Sequence, residues 1–111
     1  MRLYVGIDLG TSAVKLLLMD GAGQVKNVVS RAYPLEFPQP GWSQQNPEDW
    51  RKAVLDGIPE LLTGFDPQAV AGIGCGGQMH GLVVLDKDDR VIRPAILWND
   101  GRTAKQVDYL N

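Results

Sequence analysis

A chain of 111 residues is long enough for one domain whose core buries about 60–70% of the extended-chain surface. It is 44% hydrophobic and 22% charged, an ordinary globular balance that argues against a disordered or fibrous chain. The formal net charge is -2 and no Lys/Arg block occurs, so composition offers no footing for nucleic acid or an anionic membrane surface.

The first apolar, β-branched run, Leu3–Leu9, reads as a strand. Asp8 interrupts it too early for a secretory signal, and no apolar segment approaches a membrane span. The expected setting is therefore reducing and cytoplasmic. Residues 13–19 form a second apolar run, and both runs read as strands covered on both faces. Lys15 is the only charge in the second run, and it reads either as a structural lysine at a strand edge or as a cation near phosphates. Asp20 and Gly21 open a turn, and residues 24–33 alternate loosely as a third, more exposed strand. Short turns between three successive strands predict an antiparallel meander.

Residues 34–47, with Pro34, Pro38, Pro40 and Gly41, read as a loop, within which Trp42 either caps the core or lines a cleft. Asn46 and Pro47 then supply a helix N-cap and a first helical position, with Glu48 and Asp49 at the positive end. Trp50, Ala53, Val54, Ile58 and Leu61 recur at helical spacing as one apolar face. Gly57 and Pro59 predict a kink or a restart with Pro59 in a new first turn. Residues 69–74 read as a short buried fourth strand and 82–85 as a fifth. Cys75, the single cysteine, can form no intrachain disulfide and reads as a small buried residue. Asp86, Lys87, Asp88 and Asp89 read as a solvated hairpin tip, since calcium loops need alternating ligands and a distal Glu. A last helix, opened by Thr103, is expected to run to Leu110 and the chain end, where the sequence stops within the helical pattern.

Three stretches carry candidate chemistry. In the first, Asp8 is followed by Gly10, Thr11 and Ser12 between two strands. A tight turn of this kind presents backbone N–H groups and hydroxyls to phosphate, and an acid at its lip can hold a hard cation such as Mg²⁺. The spacing is not that of a Walker A loop. Asp8 reads equally as an ordinary strand-end turn residue. The second stretch is Gly76, Gly77, Gln78, Met79, His80 and Gly81, where glycines allow close backbone approach and the polar groups suit a small polyol better than a metal. The third is Trp98, Asn99, Asp100, Gly101 and Arg102. There the Trp face suits the C–H face of a sugar and the polar groups suit hydroxyls. The competing reading is an Asp–Arg pair tying down a loop, with the Trp in the core.

These three blocks, in this order, together with the stretch from Gly41 to Trp50, resemble the N-terminal part of the FGGY family of carbohydrate kinases. Within that family the resemblance is nearest to members acting on D-xylulose. It implies an α/β, ribonuclease H-like (actin-like ATPase) fold, with residues 1–111 as part of the first kinase domain and the C-terminal domain absent. It implies ATP-dependent phosphorylation of D-xylulose, with ATP and Mg²⁺ as cofactors, a sugar as partner, and a possible homodimer. By that analogy Asp8 lies near Mg²⁺ and the transferring phosphate. Gly10, Thr11, Ser12 and Lys15 would face the phosphates, and Gln78, Met79, His80, Trp98, Asn99 and Asp100 the sugar. Glycerol kinases carry Arg-Glu where Met79 and His80 stand, which argues against glycerol. The family's general base and adenine contacts have no counterpart here, so the 111 residues alone are expected to be inactive. Ribulose or gluconate kinases of the same family, an actin- or chaperone-like ATPase, and a stand-alone sugar-binding module are the alternatives.

Overall fold

A computed structural model of the chain describes residues 1–111. The elements run β1 (Leu3–Leu9), β2 (Ala13–Asp20), β3 (Val25–Ala32), β4 (Gln44–Gln45), α1 (Pro47–Leu61), a 3-10 turn (Pro67–Ala69), β5 (Val70–Gly77), β6 (Ala95–Ile96) and α2 (Ala104–Leu110). They divide into two compact units, one of Met1–Tyr33 with Trp50–Gln78, the other of Pro34–Asp49 with Met79–Asn111.

The first unit is a four-stranded mixed sheet in the order β3-β2-β1-β5. The expected meander is present: β1 pairs β2 and β2 pairs β3, both antiparallel, and β5 joins β1 in parallel. Alternation sorts the side chains. Leu3, Val5, Val14, Leu16, Leu18 and Val29 point to one face and pack with Ala53 and Leu61 of α1 as the core. Leu16, Leu18 and Leu61 are fully buried, each worth about 1.5–3 kcal/mol relative to exposure. The predicted coverage of both sheet faces does not occur. Tyr4, Leu17 and Met19 on the other face are only half-buried and line an open trough of about 800 Å³. Lys15 is not at a strand edge either, because β2 lies between β1 and β3.

α1 is one uninterrupted helix; the predicted restart at Pro59 is absent. Pro59 is exposed and stands two residues from the end, so the missing N–H removes a bond only in the last turn. Gly57 is a packing residue and not an interruption. A Cβ there would stand 2.5 Å from Leu16 Cδ1, so glycine lets the helix lie close on β2.

β5 is longer than predicted and exposed along most of its length, not buried. Ile73 is 63% exposed, and Cys75, expected to be buried, is exposed on the same strand at the sheet's border. Gly76 and Gly77, expected to follow the strand and let backbone approach a ligand, belong to the strand itself. A Cβ on Gly77 would lie 2.7 Å from the Leu9 carbonyl oxygen, so its close approach is to β1.

In the second unit β4 pairs antiparallel with β6, placing a short strand inside the predicted loop 34–47. The predicted strand at 82–85 is not formed, and only isolated bridges join Leu82 to Ile96 and Leu85 to Val91. Pro94, between the two partner positions, cannot donate to a ladder, which explains the interruption. The acidic tip is a tight turn, with the Asp86 carboxylate accepting from the backbone N–H groups of Asp88 and Arg90. α2 ends at Leu110, close to expectation.

Candidate functional site

In the first unit, Asp8 and Lys15 are direct cross-strand partners and therefore share a face of the sheet. Both are exposed. Gly10, Thr11 and Ser12 join their strands. The Gly10 N–H donates to the Ala13 carbonyl at 3.0 Å, and a Cβ on Gly10 would stand 3.0 Å from that same oxygen, so a turn this tight takes glycine. Two further carbonyls of the turn are drawn to Tyr33. Its backbone N–H donates to Ser12 O at 3.1 Å, and its hydroxyl donates to Gly10 O. Burial, followed by the nearby Asp8 charge, pushes the Tyr33 hydroxyl up to about 12, so it stays a donor at neutral pH. Tyr33 was legible only as the end of a strand.

Gln78 belongs to this unit as well. Its N–H donates to Leu9 O at 2.9 Å, which sets it beside the end of β1 where the turn begins. The open trough contains Asp8, Lys15 and Gly76 but none of Gly10, Thr11 and Ser12. It is an uncovered sheet face, distinct from the turn itself. No group of three or more His, Cys, Asp or Glu side chains is placed to hold a metal ion. A single exposed carboxylate still fits Mg²⁺, which is ordinarily held by one or two carboxylates together with substrate phosphates and water.

The remaining sugar candidates lie in the second unit. Met79 is 71% exposed and His80 is exposed, with a backbone φ of 61° in the left-handed region. After them the chain is tied to β6 by paired backbone bonds between Leu82 and Ile96. Trp98 is 57% exposed, not in the core as the competing reading had it, and Asn99 is exposed.

Asp100 differs from these. Its side chain is fully buried, and both carboxylate oxygens accept from protein donors: Ser43 N–H at 2.6 Å, Arg102 N–H at 2.8 Å, Arg102 Nε at 2.9 Å and Arg102 Nη2 at 2.7 Å. The Arg102 guanidinium also donates to Gln44 Oε1 and lies 3.8 Å over the Trp42 ring. Trp42, left open between two roles, thus forms the floor under a buried cation. The Arg102 hydrogen bonds, reinforced by the Ser43 and Arg102 N–H groups, hold the Asp100 carboxyl down at about 2 against the opposing effect of burial. The Asp–Arg pair ties down the loop, and Trp98 and Asn99 are what that loop presents. The Asp–Arg pair was one of the two readings of the sequence cluster; its further partners 42–44 lie too far away in sequence to be seen.

The structure therefore gathers Asp8, Gly10, Thr11, Ser12, Lys15 and Gln78 in one unit and Met79, His80, Trp98, Asn99 and Asp100 in the other.

Comparison with known proteins adds identity to this geometry. The model of the FGGY family of carbohydrate kinases, N-terminal domain, matches residues 3–111. A xylulose kinase of Bacillus subtilis is 49% identical over 108 residues, which cover 96% of this chain and 22% of that protein. The crystal structure of a xylulose kinase from Rhodospirillum rubrum superposes with a TM-score of 0.92 at 32% identity, over 98% of this chain and 23% of that one. That of a gluconate kinase from Lactobacillus acidophilus gives 0.90 at 31% identity, over 97% and 22%. The chain thus spans about a fifth of the length of the relatives it matches. Its mixed sheet, with α1 on one face, is the α/β arrangement of the ribonuclease H-like, actin-like ATPase fold.

Proposed function

The chain belongs to the FGGY family of carbohydrate kinases, and on that premise we propose that the protein carrying it transfers the terminal phosphoryl group of ATP to D-xylulose, yielding D-xylulose 5-phosphate. The observation that carries the reading is the Asp8–Lys15 pair flanking the Gly10–Thr11–Ser12 turn. Phosphoryl transfer is chiefly a matter of positioning and neutralising charge, and this turn supplies an acid, a cation, hydroxyls and backbone N–H groups within a few residues. The 49% identity with the Bacillus subtilis enzyme supports the choice of sugar.

In this reading the Asp8 carboxylate offers Mg²⁺ a hard oxygen ligand; bound there, the ion neutralises charge on the phosphates. Thr11, Ser12 and Lys15 hold the phosphates, and Gly10, whose N–H donates to Ala13 O, closes the turn that carries them. Gln78 and His80 meet sugar hydroxyls, Met79 is an apolar wall, and Trp98 with Asn99 faces the sugar ring. Asp100 contributes by fixing the loop on which Trp98 and Asn99 stand. Residues 1–111 are then part of the N-terminal kinase domain. The general base and the adenine contacts come from outside them, and the 111 residues by themselves turn over nothing.

No helix is long and apolar enough to cross a membrane. Association of the protein carrying these residues with a second copy is part of the same reading. Light scattering tests that association, and a monomer at assay concentration removes it.

The substrate reading is tested with the protein carrying these residues, ATP, Mg²⁺ and a panel of D-xylulose, D-ribulose and gluconate, followed by ADP release. D-Xylulose should give the highest kcat/KM. The likeness to a gluconate kinase favours one second reading, a kinase for gluconate, and equal or better turnover of gluconate establishes it instead. ATP hydrolysis that no sugar accelerates points to the actin- or chaperone-like class.

A further inference from the structure

We propose that Tyr33 is a positioning residue for phosphate, fixing the Gly10–Thr11–Ser12 turn so that its N–H groups, and not its carbonyls, face the ligand. The inference rests on the phosphate reading of that turn given above.

A tight turn has carbonyl oxygens as well as N–H groups, and a phosphate is repelled by the former and held by the latter. The orientation of each peptide plane therefore decides whether the turn attracts an anion. Here three carbonyls in and beside the turn have defined partners, those of Gly10, Ser12 and Ala13. Ala13 O accepts from Gly10 N–H inside the turn. Gly10 O and Ser12 O, the other two, are taken by the hydroxyl and the backbone N–H of one residue, Tyr33. The Tyr33 N–H bond to Ser12 O continues the β2–β3 register one residue past the Ala13–Ala32 pair, whereas the hydroxyl bond to Gly10 O is a side-chain bond outside the ladder. Tyr33 is 7% exposed, with its ring in the core, so the hydroxyl is anchored by burial at a fixed height under the turn. A phenylalanine would fill the same space and leave the Gly10 carbonyl to rotate. Burial, and then the nearby Asp8, push the hydroxyl up to about 12, so it keeps the proton it donates to Gly10 O at neutral pH.

The test uses the full chain, amide NMR, and magnesium with inorganic triphosphate as the probe. Wild type should show saturable shifts at the Thr11 and Ser12 amides. Tyr33→Phe should keep cooperative unfolding yet weaken triphosphate binding by about threefold to tenfold, the equivalent of one hydrogen bond. It should also speed hydrogen exchange at Thr11 and Ser12 while core amides in β1 and β2 keep their protection. Tyr33→Leu, which removes ring packing as well, serves as the second variant. Affinity that tracks the loss of global stability across Phe and Leu overturns the positioning role in favour of a purely structural one. Tyr33→Phe binding as tightly as wild type overturns it outright. Wild type failing to bind triphosphate at all overturns both this inference and the phosphate reading beneath it, and is distinguished from the former cases by the absent wild-type response.

Discussion

Replacing Asp100 by Asn removes one charge and keeps the shape of the side chain. The Asp100 side chain is fully buried and that of Arg102 is 8% exposed, so water does not compensate the guanidinium left behind. Breaking a buried pair by removing one partner costs about 3–5 kcal/mol. The contacts Arg102 retains with Gln44 Oε1 and the Trp42 ring reduce this, and Asn can still accept one bond, so the expected loss is about 3 kcal/mol. Lys52–Asp56 is the internal control. It is an i,i+4 pair with side chains 79% and 58% exposed, for which Asp56→Asn should cost less than about 0.5 kcal/mol. Urea denaturation followed by Trp fluorescence, with exchange at the Ser43 and Arg102 amides, reads both variants. The pH dependence supplies a second check. The folded Asp100 carboxyl titrates at about 2, below its ordinary value of 3.8. Its contribution is therefore complete above about pH 4 and lost as pH falls towards 2. The gap between wild type and Asp100→Asn should narrow over that window. Equal losses for Asp100→Asn and Asp56→Asn, or a gap independent of pH between 4 and 2, would refute the account of a buried, charge-bound knot.

Gly77→Ala should destabilise the chain by about 2 kcal/mol or more, because its Cβ would stand 2.7 Å from the Leu9 carbonyl oxygen, a backbone atom that moves only with β1; thermal unfolding by circular dichroism checks this. Gly57→Ala sets a helix-propensity gain of about 1 kcal/mol against overpacking of about 1–3 kcal/mol onto the fully buried Leu16, so the net effect should be neutral to destabilising. A stabilised Gly57→Ala variant would show that Leu16 shifts freely. Asp8→Asn in the protein carrying these residues should lower kcat by a hundredfold or more, on the order of the loss of one preorganised electrostatic contact, while thermal stability changes little because Asp8 is exposed.

What sequence could and could not reveal follows from how far each determinant reaches. Leu3–Leu9 was legible to the residue because a β-branched apolar run decides its own conformation and because Gly10 ends it. The α1 start was legible for the same reason: the Asn46 carboxamide oxygen accepts from Glu48 N–H as an N-cap should. The failures are places where a distant partner outweighed a local rule. Gly76 and Gly77 argue by propensity against extending the strand expected at 69–74, yet β5 runs on to Gly77 because β1 supplies a parallel partner as far as Leu9. The apolar stretch 82–85 argues for a strand, yet Pro94 interrupts the ladder it would need. Cys75 was placed in the core by its apolar neighbours, but those neighbours are themselves on the exposed border strand.

The site itself divides along the same line. Residues that project, such as Asp8, Lys15, Met79, His80, Trp98 and Asn99, were recognisable because exposed chemistry of that kind has no packing reason to be there. The residues that aim them were not, because a supporting side chain looks like any other core or loop residue until its partner is known. Tyr33 and Arg102 act in parallel ways in their separate units. Each donates to an acceptor that would otherwise be free, the Gly10 carbonyl in one case and the Asp100 carboxylate in the other. A bare carboxylate beside Trp98 would offer a sugar hydroxyl an acceptor, but would also draw in water and cations. Committed to Arg102 and Ser43, it instead gives the loop a single geometry. The placement of Trp98 and Asn99 is set by contacts spanning from Gly41 to Arg102 that no local motif encodes.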